Sequence, residues 1–189
     1  AMWLYYWLAS AGINPFDDVR TVVVPPPQMV MNRRIGNMVG FCVGEPWNAR
    51  AINDRIGFTA ATSQSIWADH PEKILGTRRD WVAKNPHTAR ALVSAVMEAA
   101  RWIEASAENK RETAQILSRR AWLNCKEQYL TGRMLGEYDN GVGQRWQDAH
   151  PIRFFNEGAV SYPYLSDGMW FLTQFRRWGL LNAAPDYAG

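Results

Sequence analysis

Over the first eighty residues, short apolar runs alternate with short segments of helical period, and proline or glycine marks nearly every change. The chain opens on "AMWLYYWLASAG", which reads as the later turns of a helix ending at Gly12, with a C-cap but no start signal. Thr21–Val24 has strand composition and runs into three prolines. A short helix over about Gln28–Arg34 closes at Gly36. "MVGFCV", Met38–Val43, predicts a second strand and leads into Gly44, Glu45, Pro46 and Trp47. Another short helix to about Arg55, then Gly57, precedes a third strand at Phe58–Ala61. Strands alternating with helices predict βαβ units and a mostly parallel sheet. Ligands of such sheets bind outside the carboxyl ends of the strands, which puts Pro25–Gln28 and Gly44–Trp47 at a cleft edge.

Past residue 80 the period becomes helical. Asn85 is a good N-cap with Pro86 at the first helical position. Ala89, Leu92, Val93, Val96, Met97, Ala100 and Ile103 then form a stripe that predicts a core-facing helix. "NKRETAQILSRRAWL" and "NCKEQYLTGRML" predict two further helices, and the glycine-rich polar stretch 136–151 predicts a loop. Ser166 is placed to cap a last helix, Asp167–Trp178, with an acid in its first turn and arginines in its last. The layout is a small α/β lobe followed by a mostly helical section. "IWADHPEKILGTRRDWV", 66–82, sits at the junction and leads into a predicted strand at Ile74–Thr77.

Composition narrows the chemistry. An apolar fraction of 47% with 21% charged residues fits a globular protein of 189 residues with a real core. Ten tryptophans suggest rigid aromatic walls. The net charge of +3 is spread through the chain without a basic tract, which suits a small anion and argues against nucleic acid. No apolar run is long enough to span a bilayer. The abrupt start suggests a piece of a longer chain whose targeting sequence, if any, lies upstream. Cys42, inside a strand pattern, is expected to be a buried free thiol. Three histidines and two cysteines show no metal-ligand spacing, "GVG" at 141–143 is a poor phosphate loop, and no nucleophile motif is present. Asp69 and Glu72 read as solvated acids in a turn. Neither catalysis nor a metal is expected.

"VVVPPPQMV" (22–30), "GFCVGEPWNARAI" (40–52), "HPEKILGTRRDWVAKNP" (70–86) and "SYPYLSDGMWFLTQFRRWGLL" (161–181) together resemble the nitrate- and bicarbonate-binding proteins of bacterial ABC importers, nearest the nitrate-binding members. The resemblance implies an α/β, type II periplasmic-binding-protein fold, two lobes closing on an oxyanion. Residues 1–72 would form most of the second lobe, and 73–189, mostly helical, would return into the first. It implies a periplasmic location, no enzyme activity and no cofactor. The implied partners are nitrate or nitrite and the importer's membrane subunits. Membrane association would be only peripheral, through an anchor of the parent protein or through the importer.

The resemblance also implies a ligand residue. The lysine of the "HPEK" motif, Lys73, lies in the family's ligand cleft, and an ammonium brings three donors and a full charge to a small anion. Read from the residues alone, Lys73 is a surface lysine paired with Glu72 or Asp69. The bicarbonate-binding relatives carry an acid near this position and use a bound cation, which a lysine would repel. A family histidine falls just before Ala1, and the tryptophan and glutamine ligands of the first lobe fall outside the chain. Gln28, Gly44, Glu45, Trp47 and His70 are possible cleft-lining residues. Glu45 would repel an anion, so orienting a donor or meeting Lys73 suits it better. Trp47 as helix packing and His70 as turn packing stay open. Alternatives are a bicarbonate-binding relative, a cytoplasmic nitrate sensor of the same fold that controls a regulatory protein, and, least favoured, an enzyme like the thiamine-pyrimidine synthases.

Overall fold

The computed structural model describes residues 1–187. Its regular elements are α1 (Met2–Ser10), α2 (Pro26–Arg34), α3 (Trp47–Asn53), α4 (Ser63–Ile66), α5 (Arg79–Lys84), α6 (Pro86–Glu104), α7 (Ala107–Ser118), α8 (Gln128–Met134), β1 (Glu137–Asp139), β2 (Arg145–Gln147), a 3-10 turn at Asn156–Ser161, and α9 (Leu165–Arg177). Local signals explain several boundaries. Gly12 and Gly36 follow α1 and α2 with φ of +78° and +83°, the left-handed geometry that favours glycine at a helix exit. Ser106 and Thr62 accept backbone hydrogen bonds from Asn109 and Ser65, capping α7 and α4.

The chain divides into two compact units. Unit 1 comprises Trp3–His70 and Trp102–Arg153, and unit 2 comprises Pro71–Arg101 and the chain from Phe154 onward. In unit 1, Val30 of α2 meets Trp47 and Ala51 of α3, with Phe41, Val43 and Ile56 packed around them. Arg34 ties α2 to Asp54, just past the end of α3, at 2.9 Å. Helix α7 packs on α8, which in turn packs on α3 and β1. Ala114, Tyr129, Leu130 and Met134 are the buried apolar side chains of that layer. In unit 2, Gln174 is the one buried residue among those described.

Several expectations are corrected. Thr21–Val24, Met38–Val43, Phe58–Ala61 and Ile74–Thr77 are not strands of a parallel sheet. Strand character needs a ladder of backbone hydrogen bonds to a neighbour, and among the described residues these segments form none; Phe58–Ala61 makes a single such bond, from the Thr59 amide to the Asn140 carbonyl at 2.9 Å. Side chains that do not reach the α2–α3 core are open, with Val23 100% exposed and Val39 95%, whereas Phe41 and Val43 pack against it. Cys42, expected buried, is exposed for the same reason. The sheet that forms among the described residues is an antiparallel pair, β1–β2, within the stretch read as a loop. Asn85 precedes α6 as expected, with Pro86 opening the helix and the Asn85 carbonyl accepting from the Ala89 amide at 2.9 Å; it also ends α5, so its side-chain amide donates back to the Trp81 carbonyl at 3.0 Å. Ser166 lies inside α9, whose N-cap position is Tyr164. The α6 stripe does not face a core: Leu92 (46%), Val93 (49%) and Val96 (51%) are exposed.

Candidate functional site

The Gly44–Trp47 turn is the most tightly built of the expected cleft edges. Trp47 is 7% exposed and anchors the turn in the core, so its ring supports the edge from beneath. Asn48 donates to the Val43 carbonyl at 2.6 Å. Glu45 pairs with Arg133. Its Oε2 accepts from the Ala49 amide at 2.9 Å, and its Oε1 accepts from Arg133 Nε at 2.8 Å. A carboxylate beside the first turn of α3 is favourable, because the unsatisfied amides there point toward it.

Arg133 is the hub that sequence reading missed. Its guanidinium also donates to the carbonyls of Glu137 (3.0 Å) and Asp139 (3.3 Å) and lies 3.7 Å from the Tyr138 ring centroid. The planar fork meets a carboxylate, two carbonyls and a ring face at once, which a lysine cannot do. The partner lies 88 residues away in sequence, so no local pattern marks it. Tyr138 stacks on Trp146 at 4.5 Å, and burial pushes its phenol above the ordinary value. At the hairpin tip, the Gly141 amide and then Arg145 hold Asp139 below the usual carboxylate range. An open cleft of about 710 Å³ lies between α3, α8 and the hairpin, with Arg55, Tyr129, Tyr138 and Trp146 among its walls. None of the sequence-predicted site residues lines it, and Arg133 and Arg145 on its wall are already paired with carboxylates.

The end of unit 1 carries a second cluster. His70 Nε2 lies 2.7 Å from Ser63 Oγ, and its ring sits 4.4 Å from Trp3, which also meets Trp67. Asp69, at φ +54°, takes its backbone amide to Gln64 Oε1 and its carboxylate to His150 at 3.3 Å. The "ADH" turn is therefore fixed by α4 and by the tail of the hairpin region. Gln28 is exposed in the first turn of α2, and Gly44 is exposed in the edge turn.

Lys73 belongs to unit 2, in the extended run after Pro71. Its ammonium pairs with Glu72 at 3.3 Å, and its side chain is 86% exposed. Such a surface pair holds by roughly 0–1 kcal/mol, so the ammonium exchanges partners readily. Among the described residues no group of histidines, cysteines and acids is arranged to hold a metal, and no helix is long and apolar enough to cross a membrane.

Comparison with known proteins adds the context that geometry alone lacks. Residues 1–118 match the model of the NMT1-like family. The chain is 45% identical over 181 residues to the nitrate/nitrite binding protein NrtA of Nostoc sp., covering 95% of this chain and 41% of that protein. It is 41% identical to the nitrate import ATP-binding protein NrtC of Synechocystis sp. over 95% of this chain and 27% of that protein. The bicarbonate-binding protein CmpA of Synechococcus elongatus is 37% identical over 98% of this chain and 42% of its own length. The crystal structure of the periplasmic nitrate-binding protein NrtA from Synechocystis matches with a TM-score of 0.93 at 46% identity, over 98% of this chain and 48% of that one. The fold is thus that of a periplasmic binding protein, and the chain spans about two-fifths of the length of the curated binding proteins it matches.

Proposed function

We propose, from the premise that this chain belongs to the NMT1-like family, that a protein carrying it is the periplasmic solute-binding component of a nitrate/nitrite importer. It would bind its ligand without catalysis or cofactor and deliver it to the importer's membrane subunits. The observation that carries this reading is the 45% identity to a nitrate/nitrite binding protein across 95% of the chain, against 37% to a bicarbonate-binding one. Lys73 supports the same choice, since an ammonium favours a monoanion and repels the cation a bicarbonate site would hold.

In this reading Lys73 is the anion's charge partner, and the passage near residue 72 is where the chain crosses from the second lobe into the first. Glu45 acts on the cleft edge through Arg133 and Ala49 and does not touch the anion. A second reading has its own observation. The same stretch, at 41% identity, lies within a protein named as an ATP-binding importer subunit, so this chain also suits a nitrate-responsive module of such a subunit.

The test is calorimetry on a full-length protein carrying this chain. Nitrate is expected to bind with a salt-sensitive affinity, with sulfate and phosphate weak, because one principal cation leaves a dianion undercompensated. Sulfate binding tighter than nitrate would overturn the reading.

A further inference from the structure

The nitrate reading leaves the open cleft of unit 1, about 710 Å³ between α3, α8 and the hairpin, without a role. A space of that size suits a drug-sized molecule and not a lone oxyanion. Most of its polar walls are committed to one another. Arg133 pairs with Glu45, and Arg145 pairs with Asp139. Gln128 donates to Asn53 Oδ1 and Gln147 to the Leu135 carbonyl, both at 2.8 Å. Two charged side chains of the lining, Arg55 and Glu137, make no ion pair or side-chain hydrogen bond among the described residues. The uncommitted charge of the wall is therefore one guanidinium from the end of α3 and one carboxylate from the hairpin.

Arg55 stands where backbone sterics favour no side chain. Helices α2 and α3 close on the same pair of backbone hydrogen bonds. Gly36 and Asn37 donate to the carbonyls of Arg33 and Asn32, and Arg55 and Ile56 donate to those of Ile52 and Ala51. After α2 the left-handed residue of this motif is Gly36, at φ +83°; after α3 it is Arg55, at φ +56°. Glycine is usual there because a Cβ makes the conformation costly. Strain of this kind, held at the rim of a cleft, points to use of the side chain. Trp146 adds an apolar wall: stacked on Tyr138 at 4.5 Å, it is still 40% exposed.

We infer that this cleft binds a small zwitterion, a short peptide with free termini, whose carboxylate meets Arg55, whose ammonium meets Glu137 and whose apolar side chain lies on Trp146. A guanidinium fork takes a carboxylate in two parallel hydrogen bonds. A pure anion would be opposed by Glu137 and a pure cation by Arg55, so the wall complements a ligand of both signs. A single amino acid would leave much of the cleft empty, which favours about two or three residues. The inference uses residues of unit 1 alone and does not rest on the identity of the imported anion.

The test is calorimetry on a full-length protein carrying this chain, with the tripeptide Ala-Phe-Ala as probe. The free tripeptide is expected to bind with a Kd below about 1 mM. Acetylating its amino end or amidating its carboxyl end should each weaken binding at least about fivefold. Arg55→Gly should weaken the free peptide similarly and leave the affinity of the amidated one unchanged. Its unfolding midpoint should not fall, because glycine suits φ +56°. Glu137→Gln should weaken the free peptide and leave the acetylated one unchanged. Absent binding of the free peptide, blocked peptides that bind as well as the free one, or variants that affect all three peptides alike would overturn the inference. So would a loss in Lys73→Ala as large as that in Arg55→Gly, which would put the peptide in the anion cleft. No readout involves nitrate, so failure here and failure of the nitrate reading are separable.

Discussion

At the scale of single residues, two cations do opposite work. Lys73 is 86% exposed and lightly held by Glu72, so it adds little to folding. In a full-length protein, Lys73→Ala is expected to weaken nitrate binding by roughly 2–4 kcal/mol, the range for truncating a desolvated charge contact, while the denaturation midpoint stays unchanged. Lys73→Glu is expected to abolish nitrate binding. Titration calorimetry showing Lys73→Ala within twofold of the wild type would return Lys73 to the surface. Arg133 is the reverse case. Its side chain is 13% exposed and its partner Glu45 25%, so removing either leaves a charge with little water. Arg133→Met is expected to destabilise this chain by about 2–3 kcal/mol in urea denaturation, discounted from the cost of breaking a fully buried pair. Arg133→Lys should not restore it, because one ammonium cannot span the carboxylate and two carbonyls. Adding Glu45→Gln to Arg133→Met should cost less than the sum of the single changes.

At the scale of elements, the β1–β2 hairpin is held by its tip. The Asn140 side-chain oxygen accepts from the amides of Val142 (3.0 Å) and Gln144 (3.1 Å), and its amide nitrogen donates to Gln144 Oε1. Asn140 is buried while doing so, at 7% exposure. Gly141 follows at φ +80°, where an added Cβ would stand 3.2 Å from Ile52 and 3.3 Å from the Gly57 carbonyl. Gly141→Ala is expected to cost about 1–2 kcal/mol for the left-handed backbone alone, with the contact to α3 adding to it. Circular dichroism melts of this variant and of Gly143→Ala check the point. Gly143 shares the positive φ, but nothing lies within 4 Å of its Cβ position, so its loss should be smaller. Equal losses would show that the close approach to Ile52 contributes nothing.

At the scale of the molecule, the two units differ in how far they are finished. Unit 1 has a core, a half-buried ion pair and a pinned hairpin, whereas unit 2 has helices and an extended run that bury almost nothing. Lys73 lies in unit 2. Anion affinity in a two-lobed cleft needs donors from both walls and closure between them. The chain alone is therefore expected to bind nitrate at least about 100-fold more weakly than a full-length protein carrying it. Equal affinities by calorimetry would show that the two-fifths of the family's length present here already forms the site.

What the residues by themselves determined is what local physics controls. Helix exits at Gly12 and Gly36, the helical period of 86–104 and the motifs that mark the family all express short-range constraints, backbone sterics at glycine and periodic side-chain placement along one element. What depended on partners far along the chain was invisible there. Met38–Val43 has strand composition, yet a strand exists only where a neighbouring segment forms a ladder with it, and the ladder seen among the described residues is β1–β2. Glu45 reads as an acid at a cleft edge, and only the tertiary structure brings Arg133 from 88 residues away to decide that it is a strut. The α6 stripe was legible as apolar, but whether an apolar stripe is buried depends on what packs against it. That is a property of the whole assembly, and the helix alone cannot settle it.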